Sequence, residues 1–226
     1  MARRSASESA ENVELRRDER GLALVGGGME LLGDFTRMLP RLRTDRLGRE
    51  LLVRAARVRG AEEPTAIDCT AGLGEDSLLL AAAGFRVTLF ERDETICALL
   101  ADAMERAANE PQLKDIVERM TLVGGDSIAG LAELGFAPDV VYLDPMFPGR
   151  TKSAAVKKKF QLLHHLEQPC EEENELVAAA LAASPRKVVI KRPVKGPQLA
   201  GIKPSYSISG KAVRYDVLVP PRQTEG

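Results

Sequence analysis

One stretch restricts the fold more than any other: Thr65 to Arg92, TAIDCTAGLGEDSLLLAAAGFRVTLFER. Ala66, Ile67, Cys69 and Ala71 are apolar or small, as in a strand buried on both faces. Gly72 and Gly74 follow, where the backbone must turn tightly and let a ligand come close. Ser77 to Ala83 is a run of helix formers, and Gly84 stands where a helix stops. Arg86 to Phe90 is β-branched and aromatic and ends on Glu91. Strand, helix and parallel strand make one right-handed crossover, the first half of a doubly wound nucleotide-binding sheet. Glu91, at the tip of the second strand, is placed to accept hydrogen bonds from a ribose diol.

The glycine turn departs from the dinucleotide fingerprint G-x-G-x-x-G. Its order is Asp68-Cys-Thr-Ala-Gly-Leu-Gly-Glu-Asp76, with the last glycine missing and an acid before the turn. Asp68, Glu75 and Asp76 would repel a pyrophosphate and attract a cationic sulfonium carrying an amino group. This favours S-adenosylmethionine over NAD. Taken alone, the motif is also compatible with a plain glycine turn between a core strand and a helix.

The remaining periodicity completes a mostly parallel seven-stranded α/β sheet of Rossmann-like type. Residues 1–20 are polar and aperiodic, and we expect a loose terminus. Leu22 to Val25, the triple glycine 26–28 and Met29 to Phe35 read as a hairpin. Arg46 to Val58 reads as one amphipathic helix with its arginines facing outward. Asp93 caps a helix over Thr95 to Ala108, with Ile96, Leu99, Leu100 and Ala103 on the core face. Strands follow at Met120–Val123, Asp139–Leu143 and Lys187–Ile190, with helices at 127–135, 152–166 and 171–183 between them. Tyr206–Ser209 and Val213–Val219 form a closing hairpin that adds the antiparallel C-terminal strand. We expect residues 1–60 to be an N-terminal extension and 61–226 the methyltransferase domain.

Composition excludes several classes. The chain of 226 residues has a hydrophobic fraction of 44% and a charged fraction of 29%, with no apolar run of membrane-spanning length. We expect a cytoplasmic protein with no membrane association. Cys69, Cys97 and Cys170 are widely spaced and read as structural thiols, and the adjacent His164 and His165 point to different faces of a helix. No metal site is expected. A net charge of −1 conceals a sorted distribution. Residues 37–59 hold eight arginines against Asp45 and Glu50, and the blocks at 150–159 and 186–195 carry five cations each and no acid. Such blocks suit a phosphate backbone, although a basic helix face is also an ordinary solvated one.

The second chemical motif is Asp144-Pro145-Met146-Phe147. Methylating an exocyclic amine requires that its lone pair be turned toward the methyl carbon. A carboxylate (Asp144) and a carbonyl fixed by Pro145 can accept the two N–H bonds, and Phe147 can stack on an extruded base. Transfer is then a displacement governed by alignment, with no metal. Gly124-Gly125-Asp126-Ser127 offers a polar pair to an adenine edge.

With these motifs in place, the chain resembles the class I S-adenosylmethionine methyltransferases and, within them, the ribosomal RNA small subunit methyltransferase J family. The matching stretches are DCTAGLGEDSLLLAAAGFRVTLFER, GGDSI, VVYLDPMFPGRTKSAAVKKKF, VVIKRP and GKAVRYDVLV, spanning roughly 65–219. The resemblance implies that the seven-stranded, mostly parallel sheet is the class I methyltransferase fold, and that a monomer or weak homodimer methylates guanine N2 in small-subunit ribosomal RNA. It implies cofactor contacts at Glu75 and Asp76, Glu91 and Arg92, Asp126 and Ser127, and Asp144, beside those read at Asp68, Gly72 and Gly74. Glu75 stands where the family has arginine. Gly-Asp-Ser replaces a paired serine, so Asp126 would use its carboxylate. Two other readings remain open: amino-methylation of DNA adenine or a protein amide, and a non-catalytic RNA-binding module.

Overall fold

The computed structural model describes residues 13–145 and 173–221. Phe147, the basic block at 150–159, the paired histidines and Cys170 lie outside the described residues.

Three strands, β1 (Glu14–Asp18), β2 (Gly21–Gly26) and β3 (Met29–Leu32), form a small antiparallel sheet. The expected loose start therefore ends earlier, because Glu14–Asp18 pairs along β2. Gly26 faces Met29 across a two-residue turn at Gly27 and Gly28, both at positive φ, the geometry that glycine supplies for a tight hairpin. Short helices follow: α1 (Leu39–Leu42), α2 (Thr44–Leu47) and α3 (Leu51–Ala56). The single helix expected over 46–58 is thus two, since Gly48 ends α2 and Glu50 takes an extended conformation before α3.

Next come β4 (Thr65–Asp68), α4 (Glu75–Ala82), β5 (Arg86–Glu91), α5 (Glu94–Ala108), α6 (Lys114–Val117), β6 (Met120–Gly124), α7 (Ser127–Ala132) and β7 (Val140–Leu143). Beyond the undescribed segment lie α8 (Glu173–Ala182), β8 (Lys187–Pro193), β9 (Tyr206–Ser209) and β10 (Val213–Leu218). The large sheet has the order β6-β5-β4-β7-β8-β10-β9. Its first five strands are parallel, and β10 enters antiparallel between β8 and β9. This is the expected mostly parallel α/β architecture with an antiparallel C-terminal strand.

Alternation along β7 divides the core in two. Val140 and Tyr142 join Leu52, Ala55, Leu78 and Leu79 on the α3–α4 face, while Val141 and Leu143 join Leu131, Leu176 and Val177 on the α7–α8 face. The small sheet packs on α5: Leu24 and Leu31 meet Ile96, Leu99 and Leu73. Asp102 anchors that contact from inside α5, accepting from Arg17 Nη1 at 2.7 Å, Leu22 N at 3.0 Å and Arg106 Nε at 2.8 Å. Burial works against its charge, but these donors hold its carboxyl below the usual range. Among the described residues, no helix is long and apolar enough to cross a membrane.

Candidate active site

Strands β4 to β8 all point their carboxyl ends to one edge, where open α/β sheets bind ligands. Backbone bonds draw these ends together. Ala71 N donates to Phe90 O at 3.1 Å, Gly125 N to Glu91 O at 2.9 Å, and Cys69 N to Tyr142 O at 3.0 Å. Thr70 Oγ1 accepts from Asp144 N at 2.7 Å, which sets the start of the Asp-Pro corner directly on the turn after β4.

The acids at this edge differ in their work. Asp68 is 1% exposed; it accepts from Thr70 N at 3.0 Å and from Ser77 Oγ at 2.6 Å. It braces the turn from beneath. Burial pushes its pKa up to about 7, against the pull of Ser77 and Thr70, with Asp76 and Asp144 adding repulsion. Glu91 accepts from Gly72 N and from Asp93 N, both at 2.9 Å. Burial is the main cause that lifts its pKa. Its carboxylate thus ties the glycine turn to the head of α5 at the strand tip predicted for the ribose.

Asp76, in the first turn of α4, accepts from Tyr142 Oη at 2.7 Å and Lys191 Nζ at 2.5 Å. The same ammonium stands 2.8 Å from Asp144 Oδ2. Burial opposes the charge of Asp76, but Lys191 outweighs it and the carboxyl stays below its usual range. Burial also penalises the ammonium, and the two carboxylates overcome this to hold the Lys191 pKa above its ordinary value. Tyr215, opposite Lys191 in the β8–β10 register, has its phenol raised by burial and by Asp76. The acidic field expected from Asp68, Glu75 and Asp76 is therefore weaker than their count, with Asp68 enclosed and Asp76 neutralised.

The two glycines of the turn also divide their roles. Both have positive φ, +53 at Gly72 and +74 at Gly74. A Cβ on Gly72 would meet nothing within 4 Å, whereas one on Gly74 would stand 2.6 Å from Leu100 Cδ1 and 3.1 Å from Phe35 Cζ. Gly72 gives an open cradle and Gly74 a close packing of the turn on the core.

Asp126 caps α7, its Oδ1 accepting from Ile128 N at 2.9 Å, and remains exposed. Ser127 is buried and its hydroxyl reaches the Cys69 thiol, whose pKa burial pushes well up.

A family profile described as "Putative SAM-dependent methyltransferase" matches residues 7–220. The chain is 39% identical over 206 residues to the ribosomal RNA small subunit methyltransferase J of Neisseria meningitidis, across 90% of this chain and 82% of that one. It is 46% identical over 172 residues to the protein of the same name from Thioalkalivibrio sulfidiphilus, across 75% of this chain and 68% of the relative. The chain belongs to the ribosomal RNA small subunit methyltransferase J family. A crystal structure of a SAM-dependent methyltransferase from Neisseria gonorrhoeae, 31% identical, superposes with a TM-score of 0.76 over 97% of this chain and 88% of that one.

As a SAM-dependent methyltransferase J family member, the chain takes S-adenosylmethionine as its cofactor. The residues present fit that group. The open backbone at Gly72 leaves room for it, and Glu91 and Asp126 stand at neighbouring strand ends on the same edge. When bound, S-adenosylmethionine supplies an electrophilic methyl group. Lys191, Tyr142 and Thr70 escaped sequence reasoning in this methyltransferase J chain. The available signal for Lys191 is a lysine continuing the apolar run Val188–Ile190 within one strand.

Proposed function

We propose that the protein methylates the exocyclic N2 amine of a guanine in small-subunit ribosomal RNA. One observation carries the reading: Asp144 is bound through its backbone N to Thr70 on the glycine turn and through its carboxylate to Lys191. A carboxylate held at both ends has a defined orientation, which is what an amine acceptor needs. Asp144 Oδ and the Pro145 carbonyl accept the two N–H bonds and turn the lone pair toward the methyl carbon. The nitrogen forms its bond to that carbon as the carbon–sulfur bond breaks, and Asp144 takes the proton the nitrogen gives up. Phe147 is assigned to stack on the base. The relatives' names support ribosomal RNA as the substrate class.

The test is transfer of a labelled methyl group to small-subunit RNA lacking the modification, followed by nuclease digestion and identification of the product nucleoside. We expect N2-methylguanosine, and a loss of at least 100-fold in rate for Asp144→Ala with S-adenosylhomocysteine binding changed far less. Product at another atom, or an undiminished rate in that variant, defeats the assignment. Equal transfer to DNA or protein would point to the other amine substrates.

A further inference from the structure

The arginine-rich segment 37–59 separates into two sets. Arg37, Arg41 and Arg43 are paired with Asp34, Glu50 and Asp45 at 3.2, 2.8 and 3.1 Å. Arg46, Arg49, Arg54, Arg57 and Arg59 are exposed, and none has a side-chain hydrogen bond or ion pair among the described residues. Five exposed arginines in succession with no acidic partner among the described residues leave this stretch with a local excess of positive charge.

Their supports are rigid. Lys187 Nζ donates to Arg57 O at 2.6 Å and Ala55 O at 3.2 Å, and Arg186 Nη1 donates to Arg59 O at 3.2 Å. Arg186 is itself held by Asp139 at 3.0 Å. The start of β8 thereby fixes the backbone that carries Arg57 and Arg59 while leaving both guanidinium groups open. Arg57, Arg59, Arg186 and Lys187 line a cleft of about 1200 Å³ together with Val58, Ser184 and Pro220, and among the described residues no acid lines it. Two basic blocks, remote in sequence, meet there.

The track has a direction. Leu51, at the head of α3, packs against Gly210 at the β9–β10 turn, on the same end of the sheet as Lys191. Arg41, ten residues earlier on α1, is close enough to lower the Asp76 pKa. From there α3 runs to the opposite end, where Lys187 lies four residues before Lys191, about 13 Å at the rise of a β-strand. The chain from Leu51 to Arg59 thus runs from the active-site end of the sheet to the far rim, with Arg54, Arg57 and Arg59 along it.

We propose that Arg46, Arg49, Arg54, Arg57 and Arg59 form a phosphate track that grips the RNA backbone away from the base being methylated. It rests on the ribosomal RNA reading above and says which basic block receives the strand. Guanidinium groups suit the role because their planar donors bind phosphate oxygens in pairs. Such contacts raise affinity without adding base specificity.

The test compares the full chain with Arg54→Glu/Arg57→Glu/Arg59→Glu and with the same three positions changed to Lys. Methyl transfer is followed against the concentration of unmodified small-subunit RNA at several salt concentrations, with calorimetric binding of S-adenosylhomocysteine alongside. We expect the Glu variant to raise KM for RNA at least tenfold with kcat within about twofold, and cofactor binding unchanged. Its plot of log affinity against log salt should lose a slope of roughly two to three, the release expected for three phosphates. The Lys variant should keep most of that slope. Unchanged KM and slope in the Glu variant overturn the track and leave the methylation reading standing. A defect seen only with assembled subunits, and not with naked RNA, assigns the surface to an acidic protein and also overturns it. A wild-type chain that binds S-adenosylhomocysteine yet methylates no RNA defeats the methylation reading, and the track with it.

Discussion

Lys191 Nζ lies 2.8 Å from Asp144 Oδ2 and 2.5 Å from Asp76 Oδ2, so one ammonium on β8 joins the carboxylate closing β7 to the one opening α4. Lys191→Met leaves two carboxylates facing each other, Asp76 largely buried and Asp144 with 36% of its side chain exposed. Because the folded pKa of Asp76 is depressed, its stabilising contribution is present above the unfolded value near 3.9 and is lost as pH falls through the folded one. The variant loses that contribution at neutral pH, at a cost of about 1–3 kcal/mol, below that of a fully buried pair because water reaches Asp144. Urea unfolding at pH 7 measures it. Methyl transfer should fall at least tenfold and be partly restored in Lys191→Arg, since charge more than shape is required.

Asp68 titrates in the opposite sense. Its folded pKa, about 7, lies above the unfolded value, so the folded chain keeps a proton that the unfolded chain has released. The stability this proton brings is complete below about pH 4 and gone once pH has risen through 7. Asp68→Asn can still bond Thr70 and Ser77, and it should flatten this part of the profile. The check is the difference in urea midpoint between wild type and variant at pH 5 and pH 7.5; an equal difference at both values contradicts the buried, proton-holding Asp68.

Gly72→Ala and Gly74→Ala should fail differently. Each incurs about 1–2 kcal/mol of left-handed strain. At Gly74 the new methyl also meets Leu100 and Phe35, adding about 1–3 kcal/mol of overpacking. Thermal unfolding should therefore show the larger loss for Gly74→Ala. Calorimetry should show the larger loss of S-adenosylhomocysteine affinity for Gly72→Ala, whose methyl points into the open cradle.

Asp102→Ala removes the carboxylate that Arg17, Leu22 and Arg106 share. We expect the three-stranded sheet to loosen from α5, with a cost of about 3 kcal/mol or more. Hydrogen exchange should accelerate in residues 14–32 well before it does in β4 and β7.

Local pattern was enough for the parallel crossover at 65–92, the Asp93 cap, the glycine hairpin and the antiparallel closing strand, because each is written in residues a few positions apart. It was also enough to bring Asp144 to the glycine turn, since both sit at strand ends that a doubly wound sheet must align. Long-range contact decided the rest. Asp76 looks in the chain like any acid at a helix start, yet Tyr142 and Lys191, 66 and 115 positions away, bond its carboxylate. Gly72 and Gly74 are likewise indistinguishable until Phe35 and Leu100 arrive against one of them. Charge, burial and space at a residue depend on which distant side chains fold against it, and no window of neighbouring residues contains that information.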